Sequence, residues 1–372
     1  MRGAGTDCPI ESVQARVYKV PTDQPEADGT LSWSETTVVV ALVTAGGHTG
    51  TGWTYGSEAC HTLITKKLAS AVTGLDPMAV GAANEAMVRQ CRNLGRPGVG
   101  ADAVSAVDVA LWDLKARLLG MSVSRLLGRH RDRVPIYGSG GFTTYDDATT
   151  RKQAEHWVKD LGAGACKIKI GESWGRCVER DLSRIRLLRK VVGDRVAVMV
   201  DANGAYSRKQ AVRVGRTMYD ESGVEWFEEP VSSDDLDGLR EVRDQVPADV
   251  TAGEYGYHLQ YFAPMIAAGA VDCLQMDATR CCGYTGWLAA ASLAAAHSLE
   301  VSAHCGPNIH APVAAAVANL RHVEYFHDHA RLDPLLFDGI PPVEAGDLLV
   351  DDTVEGHGMT LRGADAERYR AG

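Results

Sequence analysis

The 372-residue sequence lacks any run of 18 apolar residues, and its N-terminus lacks a charged segment followed by an apolar one. It therefore predicts neither a membrane-spanning helix nor a secretion signal, and we expect a cytoplasmic protein with no membrane partner. No basic run is longer than two residues, and 38 Lys and Arg stand against 48 Asp and Glu, for a net charge of -10. This balance argues against nucleic acid as a partner.

The cysteine pattern that would signal a disulfide frame or a zinc site is also missing. The nine cysteines are odd in number and form no C-x-x-C pair. Cys166, Cys273 and Cys305 lie in short runs that favour β-strand, so we expect reduced core residues. The adjacent pair Cys281 and Cys282 has no chemistry that the sequence indicates.

The second half of the chain contains short, β-prone runs that alternate with helical segments. Residues 179–192 and 286–299 are two such segments, with apolar residues at three- and four-residue intervals. The pattern favours an α/β fold whose eight parallel strands close into a barrel. The predicted strands are residues 133–141, 166–170, 196–203, 224–229, 249–254, 273–278, 300–305 and 322–326.

The first 130 residues differ from this pattern and predict a separate α+β capping domain. Residues 13–20 and 36–44 suggest antiparallel strands, and residues 101–119 form an amphipathic helical pattern. The polar connection between the two strands is expected to be a mobile loop, with Trp33 beside it. Such a loop can cover a site on the barrel, or it can be an ordinary surface connection. The loop contains Pro21, Asp23, Pro25, Asp28 and Gly29.

Six polar residues end successive runs at intervals of 32, 27, 26, 23 and 27 residues, about the length of a strand and its helix. A parallel barrel places the carboxyl ends of all its strands on one face, so these side chains should converge on one site. They are Lys169, Asp201, Glu228, Glu254, Asp277 and His304.

Asp201, Glu228 and Glu254 are carboxylates on three successive predicted strands. Each can simply cap the helix that follows its strand. Three together, however, would repel one another without a cation, and oxygen ligands on rigid strands suit a hard divalent ion such as Mg²⁺. We therefore predict one Mg²⁺ bound by these residues.

Two further groups can transfer protons at this site. Lys167 and Lys169 alternate along one strand and share a face, so one ammonium should lower the pKa of the other and make a usable base. They can instead be solvated charges at the barrel rim. Asp277 precedes His304 by one strand–helix unit, and a carboxylate bonded to one imidazole nitrogen makes the other more basic.

These residues resemble those of the enolase superfamily, in its mandelate racemase subgroup, and the resemblance covers nearly the whole chain. The motifs are GADAVSAVDVALWDLKARLLG at residues 100–120, KIK at 167–169, VDAN ending at Asn203, WFEEP containing Glu228, AGE ending at Glu254, GYTGW after Asp277, and SAH ending at His304. The resemblance implies an α+β cap of residues 1–130 on a modified (β/α)7β barrel of residues 131–345. Residues 346–372 would return to the cap.

The resemblance also implies a role for each residue in removing the proton α to a substrate carboxylate. Asp201, Glu228 and Glu254 would hold Mg²⁺, while Lys169 and the Asp277/His304 pair would act as base and acid on opposite faces. Glu324 would be a carboxylic acid that donates a hydrogen bond to the enediolate. Residues expected to contact the substrate are Lys167, Asn203, Glu324 and Trp33. Other polar residues can bind sugar hydroxyls or be structural, namely Asn308, His310 and His327.

For the overall reaction, the subgroup favours dehydration of an aldonate or aldarate to a 2-keto-3-deoxy acid, which makes the enzyme a hydro-lyase. Racemisation, epimerisation or cycloisomerisation would need the same parts and stays an alternative. Arg280 stands where related subgroups carry a second lysine, which disfavours those subgroups and leaves the role of Arg280 open. The expected partner is a small-molecule carboxylate, and the expected assembly is a homo-oligomer between a dimer and an octamer.

Three readings from other classes are weaker. Residues 98–103 fit a dinucleotide-binding pattern, but no predicted strand precedes them. A zinc hydrolase built on His304 and His310 conflicts with carboxylates that prefer a harder ion. A non-catalytic barrel would be expected to lack at least one of the metal or proton-transfer residues, and none is missing.

Overall fold

The computed structural model describes residues 8–371, and its first element is a three-stranded antiparallel sheet. The strands are β1 (Ser12–Ala27), β2 (Ser32–Ala45) and β3 (His48–Tyr55). Helix Ala101–Leu118 packs on this sheet, as its apolar pattern predicts. The packing is close because β3 carries glycine there: a Cβ on Gly50 would lie 2.1 Å from the Ala110 carbonyl oxygen. Shorter helical segments complete this region at Ala59–Leu63, Ala69–Val72 and Val80–Gln90.

The polar stretch predicted as a mobile loop is instead part of a long β-hairpin, so that prediction is wrong. Glu26 pairs with Trp33 across the hairpin, and the register shifts between Pro21 and Glu26. The irregular pairing accommodates the prolines, which cannot donate to a regular ladder. Asp28 Oδ1 caps the turn by accepting a hydrogen bond of 2.8 Å from the Leu31 backbone N–H.

The remainder of the chain forms a closed barrel of eight parallel strands, which confirms the predicted fold class. The last strand, Leu320–Phe326, pairs in parallel with the first, Arg133–Gly140, and closes the barrel, with Glu324 opposite Tyr137. The strands are β4 (Arg133–Gly140), β5 (Ala165–Lys169), β6 (Ala197–Asp201), β7 (Val224–Glu228), β8 (Asp249–Ala252), β9 (Cys273–Met276), β10 (Glu300–Ala303) and β11 (Leu320–Phe326).

A helix follows each barrel strand, including the eighth. Their apolar faces cover the strands; in helix Val178–Val192, for example, Leu182, Ile185 and Leu188 are buried at three-residue intervals. The other helices are Asp147–Glu155, Arg208–Ser222, Leu236–Arg243, Leu259–Ala267, Gly283–Ala296, Pro307–Ala314 and His327–Leu336.

After the barrel, the chain contacts both the first barrel strand, β4, and the cap. Asp347–Leu349 pairs antiparallel with β4. Farther on, His357 Nε2 lies 2.7 Å from the Thr51 carbonyl oxygen, and the Ala371 N–H donates to the Val17 carbonyl oxygen at 2.9 Å. The proposed division at residues 130 and 345 stays a prediction, and residues 1–7 and 372 lie outside the described part.

Two predictions of absence concern the whole chain. All nine cysteines lie in residues 8–371 and are free thiols, seven of them buried, as expected of reduced core residues. Within the same range, no helix combines the length and the apolar character needed to cross a membrane.

The dinucleotide-binding hypothesis for residues 98–103 is not supported, because no strand precedes them. Arg96–Gly100 is a kinked turn, and the segment before it, Cys91–Asn93, is a single helical turn.

Candidate active site

The carboxyl ends of the barrel strands carry the predicted residues, and the backbone there is unusual. Asn203, Glu229 and Cys305 follow strands β6, β7 and β10 with φ of 45°, 39° and 49°, a region that residues other than glycine seldom adopt. The Asn203 N–H donates to Asp201 Oδ1 at 2.8 Å, which fixes that carboxylate at its strand end. Strained backbone of this kind is concentrated at functional sites.

Asp201, Glu228 and Glu254 come together as predicted. All three are buried, and one carboxylate oxygen from each lies within 4.8 Å of the others. Glu228 Oε1 and Glu254 Oε2 are buried without a hydrogen-bond partner. Burial and the neighbouring Asp201 raise the pKa of Glu228 well above its ordinary value. Unpartnered, mutually repelling carboxylate oxygens are the donor set that a hard divalent cation such as Mg²⁺ satisfies.

Lys167 and Lys169 both point into the barrel, but neither is the depressed-pKa lysine that the sequence suggested. Burial acts to lower both pKa values, yet the surrounding carboxylates outweigh it and raise them well above the ordinary value. Lys169 is bonded to Asp201. Lys167 Nζ lies 2.6 Å from Glu228 Oε2 and 2.8 Å from Glu324 Oε1. The sequence pattern showed the two ammoniums side by side, but it could not show how many carboxylates face them.

His304 and Asp277 form the predicted pair. His304 lines the cavity, and its Nδ1 lies 2.9 Å from Asp277 Oδ2. Its other ring nitrogen, Nε2, lies 3.4 Å from Glu254 Oε2 and 3.2 Å from Cys305 Sγ. Burial acts to raise the pKa of Asp277, but the bond to His304 outweighs it and the pKa is lowered. The ionised Asp277 also accepts from Thr279 N–H at 2.7 Å. These contacts orient the imidazole and fix its tautomer, as a proton-transfer histidine requires.

Glu324 is buried at the end of the barrel, with both oxygens in use. Oε1 accepts from Ser139 Oγ at 2.6 Å, and Oε2 accepts from the Cys305 N–H at 2.7 Å. Burial acts to raise its pKa, but Lys167 outweighs it and holds the pKa well below the ordinary value. The lowered pKa favours the ionised form of Glu324, whereas the expected hydrogen-bond donor is protonated.

Lys169 and His304 line one cavity of about 330 Å³, which also reaches the cap hairpin. Trp33 lines it as well, and its Nε1 donates to Glu26 Oε2 at 2.8 Å. Asn203 lines the same cavity. Lys167, although predicted to contact the substrate, is fully buried and is not part of the cavity wall.

Arg280, to which the sequence assigned no role, lies in the cavity wall. It contacts Glu254 Oε1 at 3.3 Å and Asp277 Oδ2 at 3.6 Å, and its guanidinium lies 5.6 Å from the Tyr255 ring centroid. Its position after β9 was the signal available in the sequence. It links one predicted metal ligand to the acid–base pair.

The remaining polar candidates are held in structural contacts. Asn308 Nδ2 donates to Asp333 Oδ2 at 2.8 Å, and His327 Nε2 lies 3.0 Å from Asp23 Oδ2. His310 uses both ring nitrogens, because Nε2 accepts from the Ala278 N–H and Nδ1 contacts the Gly306 carbonyl oxygen. A zinc site that needs a free His310 nitrogen is therefore not supported.

Sequence reasoning missed the residues that line the cavity opposite the metal ligands. Tyr55 and His329 stack with ring centroids 3.5 Å apart. Phe326 and Asp328 lie beside them at the end of β11. For Phe326, Asp328 and His329, the signal in the sequence was their position at or just after the end of the eighth strand. Cap residues such as Tyr55 gave no such signal, because they reach the site through tertiary packing.

Comparison with known proteins gives matches to two family models. Residues 149–366 match the family model described as enolase C-terminal domain-like, and residues 12–128 match the mandelate racemase / muconate lactonizing enzyme N-terminal domain. A mandelate racemase/muconate lactonizing enzyme-like protein from Rubrobacter xylanophilus is 44% identical, with a TM-score of 0.94 over 98% of this chain and 100% of that one.

Relatives with a named activity are more distant. L-talarate/galactarate dehydratase from Salmonella typhimurium LT2, crystallised with Mg and L-lyxarohydroxamate, is 27% identical, with a TM-score of 0.89 over 100% of this chain and 95% of that one. D-galactarolactone cycloisomerase from Agrobacterium fabrum is 30% identical over 79% of this chain and 78% of its own. The similar proteins thus include both a lyase and an isomerase.

Proposed function

This chain belongs to the enolase superfamily, in the group of mandelate racemase and muconate lactonizing enzyme, and from that premise we propose that it is a Mg²⁺-dependent acid-sugar dehydratase. The observation that carries the proposal is that Lys169 and His304 line one cavity beside the Asp201, Glu228 and Glu254 carboxylates. A base and an acid can therefore act on a substrate whose carboxylate is held at that trio.

The proposed reaction is a β-elimination. The C–H bond next to the carboxylate breaks and its proton passes to a side chain, while the hydroxyl on the β-carbon leaves with a proton as water. The resulting enol then ketonises to a 2-keto-3-deoxy acid. No oxidant or reductant is required, and one water is released for each substrate.

The metal fits the three carboxylates, and Mg²⁺ bound there would stabilise negative charge on the substrate carboxylate as the α-proton leaves. Lys169 and His304 would take and give protons at Nζ and Nε2. Asp277 would stabilise the charged form of His304 and keep its ring oriented. Glu324 and Lys167 form an ion pair behind the cavity wall. This pair would keep the charged groups around the reacting carbon in fixed positions.

The alternative outcome is an isomerisation by the same two groups. If no hydroxyl leaves, the proton returned to the other face gives an epimer. If an ether oxygen leaves instead of hydroxide, the result is a cycloisomerisation. The similarity to D-galactarolactone cycloisomerase supports this alternative.

A substrate screen tests the proposal. The purified protein with Mg²⁺ is incubated with a library of acid sugars, and 2-keto acids are detected as semicarbazones. We expect product with at least one acid, and none after chelation of the metal. A blank screen accompanied by α-proton exchange in D₂O would replace dehydration with isomerisation. A blank screen without exchange would contradict both.

A further inference from the structure

The cavity that holds Lys169 and His304 has two walls that differ in charge and origin. The barrel wall carries Lys169, His304 and one predicted metal ligand, Glu254, so under the proposed function the reacting end of the substrate lies there. The rest of the substrate then faces a wall built by the cap hairpin and the end of β11, here called the far wall. The inference below rests on the proposed function and deepens it.

Three carboxylate residues line the far wall: Asp28, Glu35 and Asp328. Asp328 Oδ1 accepts from Arg331 at 2.6 Å, and Glu35 lies 3.8 Å from Lys19 Nζ. Lys19 and Arg331 stand outside the lining of the cavity. The other Asp328 oxygen, Oδ2, accepts from Thr36 Oγ1, which also lines the cavity. A ligand at this wall therefore meets carboxylate residues, while the cations that pair with them lie outside the lining.

The cations that line the cavity lie on its other wall and are already paired. Within the described part of the chain, Lys169 and Arg280 are its only lining lysine and arginine. Lys169 is bonded to Asp201, and Arg280 contacts Glu254 at 3.3 Å. His329 also lines the far side, but burial lowers its pKa to about 3, so its imidazole is neutral near pH 7.

A second cavity, of about 570 Å³, adjoins the first, and its histidine, His258, has a pKa that burial lowers. The two share Asn203 and Tyr255. Among residues 8–371, those lining the second cavity include the carboxylates Glu229 and Asp234 but neither lysine nor arginine.

A third cavity, which shares Asp28 and Leu31 with the first, is lined by Arg180, but that guanidinium is bonded to Glu172 and to the Thr143 carbonyl oxygen. In each direction, the lysine and arginine side chains that line the cavities are therefore already paired with carboxylates.

From this distribution we propose that the substrate is a monocarboxylate with an uncharged, hydroxylated far end, of the aldonate class, and not a dicarboxylate such as an aldarate. Hydroxyl groups can donate hydrogen bonds to the carboxylate oxygens of the far wall. A second carboxylate has no proton to donate and would be desolvated beside like charges, which disfavours it.

The test compares acids that differ at one carbon only. The full-length Mg²⁺-loaded enzyme is assayed with D-gluconate against D-glucarate, D-galactonate against galactarate, and the corresponding five-carbon pairs. We expect kcat/KM for the best aldonate to exceed that of its matched aldarate by at least about 10-fold.

A charge reversal on the far wall sharpens the test. Glu35→Lys places a cation there and should move the aldonate-to-aldarate ratio of kcat/KM toward the aldarate by about 10-fold. Glu225→Lys makes the same charge change at the opposite end of the barrel, near the start of β7, and should leave the ratio unchanged. Glu35→Gln, which keeps the shape, should shift the ratio in the same direction by less.

The outcomes separate the two proposals. Aldarates used as well as aldonates by the wild type, or a ratio unmoved by either Glu35 variant, would overturn the inference and leave the proposed function standing. Failure of every acid to react or to exchange its α-proton would overturn the proposed function, and this inference with it.

Discussion

The barrel wall and the far wall of the active-site cavity are built on different principles. On the barrel wall, opposite charges at strand ends are paired with one another: Lys169 with Asp201, His304 with Asp277, and Arg280 with Glu254. On the far wall, Asp28, Glu35 and Asp328 line the cavity, and the cations paired with Glu35 and Asp328 stand outside it. Their other partners are the Thr36 hydroxyl and the hairpin turn.

This difference separates chemistry from selection. Parallel strands of fixed spacing hold the barrel groups, so their geometry is set by the same hydrogen bonds that make the barrel. The far wall comes from a hairpin and a helix start, elements that can change without disturbing the barrel. Proton transfer should therefore depend on the first wall, and the choice among acids on the second.

The largest effect should come from removing a proton-transfer group on the barrel wall. Lys169→Met and His304→Asn should each lower kcat by about 10²- to 10⁴-fold, the range typical of general acids and bases. Turnover of the best substrate, followed as 2-keto acid, measures this. His327→Asn is the matched control, because His327 pairs with Asp23 outside the cavity and its loss should cost far less. Full activity in either of the first two variants would break the distinction between the walls.

Metal binding should stabilise the barrel wall even without a substrate. Because Glu228 Oε1 and Glu254 Oε2 are buried and unpartnered, Mg²⁺ should stabilise the folded state by about 2.7 kcal/mol at 100 times its dissociation constant. Thermal unfolding of the wild type should shift upward with Mg²⁺, and the shift should shrink in Glu254→Gln. A Tm that ignores Mg²⁺ in the wild type would contradict the assignment of the trio.

The placement of the far wall depends on close packing within the cap. Gly50→Ala puts a Cβ 2.1 Å from the Ala110 carbonyl oxygen, a backbone atom that cannot move away without displacing the helix. The substitution should therefore lower the free energy of unfolding by about 1–3 kcal/mol. Gly81→Ala is the control: it lies in helix Val80–Gln90 with nothing within 4 Å of the added Cβ, and should be neutral or stabilising. Denaturant unfolding distinguishes the two. Equal stability would show that the sheet and helix are packed less tightly than described.

A pH dependence is expected behind the far wall. Burial raises the pKa of Glu26 to about 8 from an ordinary value of 4.5. The neutral form is thus favoured by folding, so its contribution is fully present below pH 4.5 and is lost as the pH rises toward 8. Glu26→Gln resembles the neutral form and should show a smaller decrease in Tm between pH 5 and pH 8 than the wild type. An unchanged decrease would assign the pH dependence to other groups.

The contrast between the walls also explains what the sequence could predict. Asp201, Glu228, Glu254, Asp277 and His304 were found because each ends a short β-prone run at a regular spacing, and barrel geometry converts that spacing into proximity. No knowledge of how the cap sits on the barrel was needed. The residues of the barrel wall could therefore be predicted from the sequence one strand at a time.

The residues of the far wall could not be predicted in this way. The hairpin was predicted as a mobile loop, since its Pro, Asp and Gly composition is typical of loops, whereas cross-strand contacts such as Trp33 with Glu26 order it. Tyr55, Asp328 and His329 meet only through the docking of cap on barrel. The pKa directions of Lys169 and Glu324 differ from those expected for a related reason: each pKa depends on every neighbouring charge at once.

The most direct test of the two-sided barrel wall is exchange of the substrate α-proton in D₂O, followed by NMR in Lys169→Met and His304→Asn. We predict that both variants lose elimination, while one of them, which keeps the base that removes the proton, still exchanges it for deuterium. Exchange at the wild-type rate in both variants would contradict the account, because neither Lys169 nor His304 would then be the base.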